Sequence, residues 1–161
     1  MRPLGDHILR AVATKMATKY LPQVASDHGK SDFGLLALLM GVVSEEFERA
    51  AHRRIEENSA IRKIFKDALP VLKDEGLKKR VKEASEKTED DYRISALDKL
   101  NCDLQEVLID LHANIETLQG ADARKIEEQI WVELENWTKR REFMIWELAN
   151  AMLAAASASQ G

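Results

Sequence analysis

Between Leu77 and Gln119 the chain contains neither glycine nor proline. Nothing in that stretch ends a helix by backbone geometry alone, so helix is its default state and any interruption must have another cause. The whole chain of 161 residues has only seven Gly and three Pro, against a background rich in Ala, Leu, Glu, Lys and Arg. Those residues are the strongest helix formers. The sequence therefore predicts an all-α fold, a single compact bundle of about five or six helices with long antiparallel helices in its C-terminal half.

The phase of the apolar residues divides the glycine-free stretch. Leu97, Leu100, Leu104, Leu108, Leu111, Ile115 and Leu118 share one face. At about 100° per residue, Leu77 and Val81 fall roughly 140–180° away from it. A single helix cannot bury both sets on one side, which places a break near residues 86–90. Thr88 and Asp91 there have the character of a helix start, and a helix over 90–118 follows. Gly120 ends that helix and Asp122 caps a last one, extending to about residue 157. The short link between them makes the two antiparallel neighbours.

Upstream, Leu4, Ile8, Val12, Met16 and Tyr20 recur every four residues and predict a helix over 4–21 with that stripe inward. Pro22 disfavours helical geometry at Leu21 and ends it. Gly29 offers a left-handed stop, and Ser31 or Asp32 a cap for a helix over 33–57. Phe33, Leu36, Met40, Val43, Phe47 and Ala51 mark its expected core side. Asn58 and Ser59 are cap-type residues and divide it from a short helix over 60–69, which Pro70 closes.

A chain of this length is expected to form one domain, 1–161, with residues 158–161 as a frayed tail. The formal net charge of −4 argues against nucleic acid as a partner. Basic runs at 62–66, 78–82 and 139–141 have acids close by and suit solvated helix faces. Cys102 is the lone cysteine, which rules out an intrachain disulfide and fits a reducing compartment. The most apolar tract, 143–156, carries Glu147 and Asn150 and falls short of the roughly 18–20 apolar residues of a membrane span. The N-terminus lacks the apolar centre of a secretory signal. The expected protein is cytoplasmic, with no membrane partner and no cofactor.

Two groups of residues raise metal chemistry. In EEFERAAHRRIEEN, Glu48, His52 and Glu56 stand four apart, and His112 and Glu116 repeat the step. Two-metal carboxylate bundles instead pair a Glu on one helix with Glu-x-x-His on its partner, all pointing inward. Here Arg49 and Ile109 occupy the positions three before the two histidines. Facing argues the same way, since Glu48, His52 and Glu56 lie roughly 100°, 140° and 180° round from Phe47 at 100° per residue. All-helical nucleotide pyrophosphohydrolases hold magnesium through Glu-Glu-x-x-Glu and Glu-x-x-Asp. Glu45, Glu46 and Glu48 with Glu106 and Asp110 approach that pattern and miss its spacing on both helices.

Arg141 lies within the apolar stripe of the last helix, between Trp137 and Met144. A guanidinium there is either paired with a carboxylate of the bundle or extends to water, and otherwise anchors an anionic ligand. The segments around 35–43 and 143–152 are apolar on all sides, more than a small bundle needs. Leu35, Leu38, Leu39, Val42, Trp131, Phe143, Trp146 and Met152 are therefore expected at a subunit interface, whose cores favour aromatic and Met residues. The sequence points to a non-catalytic, self-associating assembly or interaction module, a homo-oligomer. The alternatives are a metal-dependent carboxylate/histidine bundle enzyme, of di-metal or pyrophosphohydrolase type, and an apolar small-ligand binder anchored by Arg141.

Overall fold

The glycine-free stretch is interrupted where the apolar phase requires it. In the computed structural model, which describes residues 4–143, α3 (Glu75–Glu86) stops short of α4 (Ile94–Thr117). Asp74 opens α3 by accepting a hydrogen bond from the Leu77 amide at 2.8 Å, the usual service of an N-cap carboxylate. At the start of α4 the expected Thr88 cap is not used. Asp91 accepts from the Arg93 amide at 2.9 Å, and Arg93 itself stands in extended geometry as the N-cap. The other elements are α1 (Gly5–Lys15), α2 (Asp27–Ala68) and α5 (Ala121–Arg140). Five α-helices and no strand among the described residues make the fold an all-α helical bundle.

The last helix, expected to extend to about residue 157, ends as α5 at Arg140, and residues 142 and 143 are not helical. Three other boundaries differ from expectation for a local reason. First, α2 begins at Asp27 rather than at residue 33, because Ser26 Oγ accepts from the Gly29 amide at 3.0 Å. Gly29 thus sits in the first turn of a helix instead of in a left-handed stop. Second, α2 runs unbroken through Asn58, whose side chain is not spent on a cap but accepts laterally from Asn101 Nδ2 at 2.9 Å. Third, α1 passes at Met16–Tyr20 into a wider π turn and at Leu21–Gln23 into a 3₁₀ turn. Pro22 has no N–H to give the carbonyl of Thr18, so the regular ladder cannot continue.

Gly120 separates α4 from α5 with φ +126° and ψ 166°, a region that essentially only glycine adopts. It serves as the N-cap of α5, so Asp122 lies inside the first turn rather than capping it. A Cβ at this position would meet nothing within 4 Å, so the whole cost of a side chain is backbone strain. Gly120→Ala is expected to lose about 1–3 kcal/mol, read as a lower denaturant midpoint at constant m-value.

The chain divides into two compact units. The second, Ala50–Glu142, holds the large apolar core. Ile61, Ile64, Phe65 and Ala68 of α2 pack with Val81 and Ala84 of α3, Leu104, Leu108, Leu111 and Ile115 of α4, and Ala123, Ile126 and Ile130 of α5. The α4 stripe is the one expected from sequence. Arg62 donates two hydrogen bonds to Glu89, at 2.7 and 3.1 Å, tying α2 to the α3–α4 link. Arg80 of α3 meets Asp110 of α4 at 2.8 Å.

The other unit is built, among the described residues, from 4–49 and Phe143. Here the sequence-based facing is inverted. Its buried residues are Asp6, Ala13 and Ala17 from the first helical segment, with Gly34, Ala37 and Ser44 of α2. Ser44 Oγ donates to the Asp6 carbonyl oxygen at 2.8 Å. Phe47 lies so close over the start of α1 that a Cβ on Gly5 would come within 2.8 Å of its ring. The side chains buried here are thus mostly small, and several bulky apolar ones are exposed.

Candidate functional site

These exposed apolar residues form the first candidate site. Leu4, Ile8 and Val12 on α1, with Leu35, Leu36, Leu39, Val43 and Phe47 on α2, are each between 41% and 58% exposed. They include three of the five residues of the stripe expected to face the core at the N-terminus, where Tyr20 is also exposed and Met16 half-buried, and three of the six expected to do so on α2. The side chains buried in this unit are small ones, Ala13, Ala17, Gly34, Ala37 and Ser44, while Leu36 and Val43 are exposed and Phe47 is exposed over Gly5. Single exposed apolar residues are ordinary, whereas eight in one small unit are not.

Of the residues expected at an interface, Leu35 and Leu39 belong to this set, and Leu38 and Val42 are half-buried. Trp131 is exposed on α5 of the other unit, and Phe143 is exposed at the end of the described chain. Trp146 and Met152 lie outside the described residues.

The second candidate is a polar layer inside the Ala50–Glu142 unit. Glu57 is fully buried, as are its neighbour Asn58 and, on α4, Asn101. Glu57 Oε2 accepts from Arg54 Nη1 at 3.0 Å and from Arg141 Nη2 at 3.4 Å. Arg54 also donates from Nε to Asp98 Oδ1 at 2.8 Å. Burial by itself would pull the Arg54 pKa down. The hydrogen bond to Asp98 and the charges of Glu57 and Asp98 outweigh it and leave the pKa raised. Asn101 accepts in turn from Gln105 at 2.6 Å.

On α5 the buried Glu133 accepts two hydrogen bonds from Arg140, at 2.6 and 3.3 Å. That hydrogen bond is the main reason the Arg140 pKa is raised, against the opposing effect of burial. Glu56 Oε2 lies 3.8 Å from Arg140 Nε. Arg141 is 45% exposed, with its guanidinium carbon 5.8 Å from the centre of the Trp137 ring. It is therefore held between a carboxylate and an aromatic face, the paired arrangement weighed above against ligand anchoring.

The metal candidates separate. His52 and Glu48 are exposed, and His52 Nε2 meets only an exposed Glu56 at 3.3 Å. Asp110 is engaged by Arg80 and Glu45 by Arg49, while Glu106 is exposed. His112 and Glu116 behave differently: they lie close to Glu127 of α5, and the three ligand atoms are within 4.8 Å of one another. Among the described residues no other group of three His, Cys, Asp or Glu side chains is so arranged.

Comparison with protein families, curated proteins and solved structures finds no match for this chain. Any functional reading therefore stands on the residues themselves. No helix among the described residues is long and apolar enough to cross a membrane.

Glu57, Asn101, Glu127 and Glu133 were not singled out by sequence reasoning, and Asn58 only as a helix cap. A signal existed for four of them. Asn101 falls between Leu97 and Leu104 at core spacing, and Glu133 stands three after Ile130. Glu57 and Asn58 stand four and three before Ile61, on the face that continues to Phe65 and Ala68 once α2 is carried through without a break.

Proposed function

We infer that this protein is a non-catalytic, self-associating assembly module whose contact surface is the exposed apolar face of α1 and the first half of α2. The observation that carries the reading is the inverted facing of that unit, with small residues inside and eight large apolar residues out. The largest apolar patch on a typical monomer is about 300–600 Å² and is itself often a site of interaction. Leu36, Leu39, Val43 and Phe47 follow one another at steps of three, four and four, the spacing of a helix that packs along its length.

A second copy of the chain is the occupant that fits. The face carries no charged side chain among its eight residues, so it offers nothing to select a charged partner. A two-fold axis matches an apolar stripe to its own image without further requirement.

The test is sedimentation velocity on the wild type and on Leu36→Glu/Val43→Lys. Both positions are already exposed, so the double variant is expected to keep its helical circular dichroism. The wild type is expected to sediment as a dimer or larger species at micromolar concentration, and the variant as a monomer. A wild type that stays strictly monomeric into the high micromolar range overturns the reading.

A further inference from the structure

The geometry points to a binding site for a divalent transition-metal ion between α4 and α5, with His112, Glu116 and Glu127 as its protein ligands. It is independent of the self-association surface.

His112 and Glu116 stand four apart on α4 and so project from one side of that helix, with Glu116 Oε1 3.7 Å from His112 Nε2. Glu127 comes from the neighbouring helix, beyond the turn at Gly120. The imidazole is the decisive part. Its side chain is only 19% exposed, and Nε2 is buried with no hydrogen-bond partner, the Glu116 oxygen lying beyond hydrogen-bond reach. A buried ring nitrogen left unsatisfied is costly, and such groups in native proteins call for an explanation. A cation in reach of all three side chains supplies the missing partner and neutralises the two carboxylates together.

The donor set identifies the class of ion. One imidazole and two carboxylates suit zinc and its first-row neighbours better than calcium or magnesium, which favour oxygen ligands alone. Three protein ligands leave a fourth position to water, a common zinc arrangement. Ligand atoms about 2.0–2.2 Å from one tetrahedral ion are roughly 3.3–3.6 Å apart, so the carboxylates must close by about an ångström, within the reach of Glu rotamers. The imidazole needs less movement. Trp131, four residues beyond Glu127 on α5, holds it edge to face with ring centres 5.3 Å apart and planes at 83°. The chain thus carries an indole beside the proposed ligand, which serves as an optical reporter.

The experiment titrates the full-length protein with Zn²⁺ by calorimetry and with Ni²⁺ by tryptophan fluorescence. Saturable Zn²⁺ binding is expected, with Kd raised roughly tenfold or more in Glu127→Gln and further in His112→Gln. His52→Gln removes the exposed His–Glu pair on α2 and is expected to leave Kd unchanged. Ni²⁺ is expected to quench the wild type and to lose most of that quenching in Trp131→Phe, although Trp137 and Trp146 remain. Glu127 is half-buried at the surface, so its variant keeps the fold and carries the test even if His112→Gln does not. Absence of saturable Zn²⁺ binding, an unchanged Kd in Glu127→Gln, or quenching undiminished in Trp131→Phe each overturns the proposal.

Discussion

Arg54→Met is expected to lower the unfolding free energy by about 3–5 kcal/mol, the range found when one partner of a buried ion pair is removed. Arg54 makes the closer of the two contacts to the fully buried Glu57, at 3.0 Å, with Arg141 at 3.4 Å and nearly half in water. Methionine keeps most of the stem and removes the guanidinium with its hydrogen bonds to Glu57 and Asp98. What remains is a fully buried carboxylate that has lost its closest cation and keeps Arg141 at 3.4 Å and the charge of Arg140. Urea unfolding followed by circular dichroism measures the loss. The double variant Arg54→Met/Glu57→Leu supplies the control, because taking away both charges leaves nothing stranded. It is expected to be clearly more stable than Arg54→Met alone. If the two substitutions simply add, the pair is not coupled and the polar layer does not act as described.

Phe65→Ala is expected to cost a similar amount, about 3–5 kcal/mol, by a different mechanism. Phe65 is fully buried in the core shared by α2, α3, α4 and α5. Truncation removes the apolar surface of an aromatic ring and leaves a cavity. The neighbouring Ile61, Ile64 and Leu104 are themselves buried and have little freedom to fill it. The denaturant midpoint should fall with the m-value unchanged. A loss below about 1 kcal/mol would mean that the core is loosely packed and collapses around the gap. The contrast with Arg54→Met is informative, since a compensating second substitution exists for the charge and none for the volume.

How much of this was legible in the sequence depends on what each segment had to tell apart. The break before α4 was readable because Leu77 and Val81 are out of phase with the Leu97–Leu118 stripe. The α4 core stripe was readable because large apolar residues there have no rival face. The facing of α1 and α2 was not. Phe33, Leu36, Val43 and Phe47 follow a helical stripe, and sequence patterns equate the bulkiest stripe with the core. The structure buries Gly34, Ala37 and Ser44 instead, and Ser44 is hydrogen-bonded to the backbone of α1. Hydrophobicity gives little weight to a Gly–Ala–Ser face, so the contact surface and the solvent surface exchanged places.

Asn58 misled for a related reason. Asn is favoured at helix ends because its side chain competes for backbone hydrogen bonds, and that preference divided α2 in two. Its side chain in fact meets Asn101 across the unit, a partner 43 residues away that no local rule could supply. The third metal-site residue was missed likewise. His112 and Glu116 are visible as a pair on one helix, whereas Glu127 joins them only when α5 folds back.

The polar layer also bears on how the second unit assembles. Contacts of α3 with α4 and of α4 with α5 join helices adjacent along the chain, and closing their short links costs little entropy. Arg54–Asp98 and Asn58–Asn101 span 44 and 43 residues, and Glu57–Arg141 spans 84. Such distant pairings come after local ones. On that ground α4 and α5 are expected to form a hairpin first, with the second half of α2 docking later. An apolar groove alone would accept α2 displaced by one turn, about 5.4 Å along its axis. Moved by that amount, Asn58 would part from Asn101 and Glu57 from Arg141. The buried polar groups act as a vernier, admitting one alignment of α2 among several of similar greasiness.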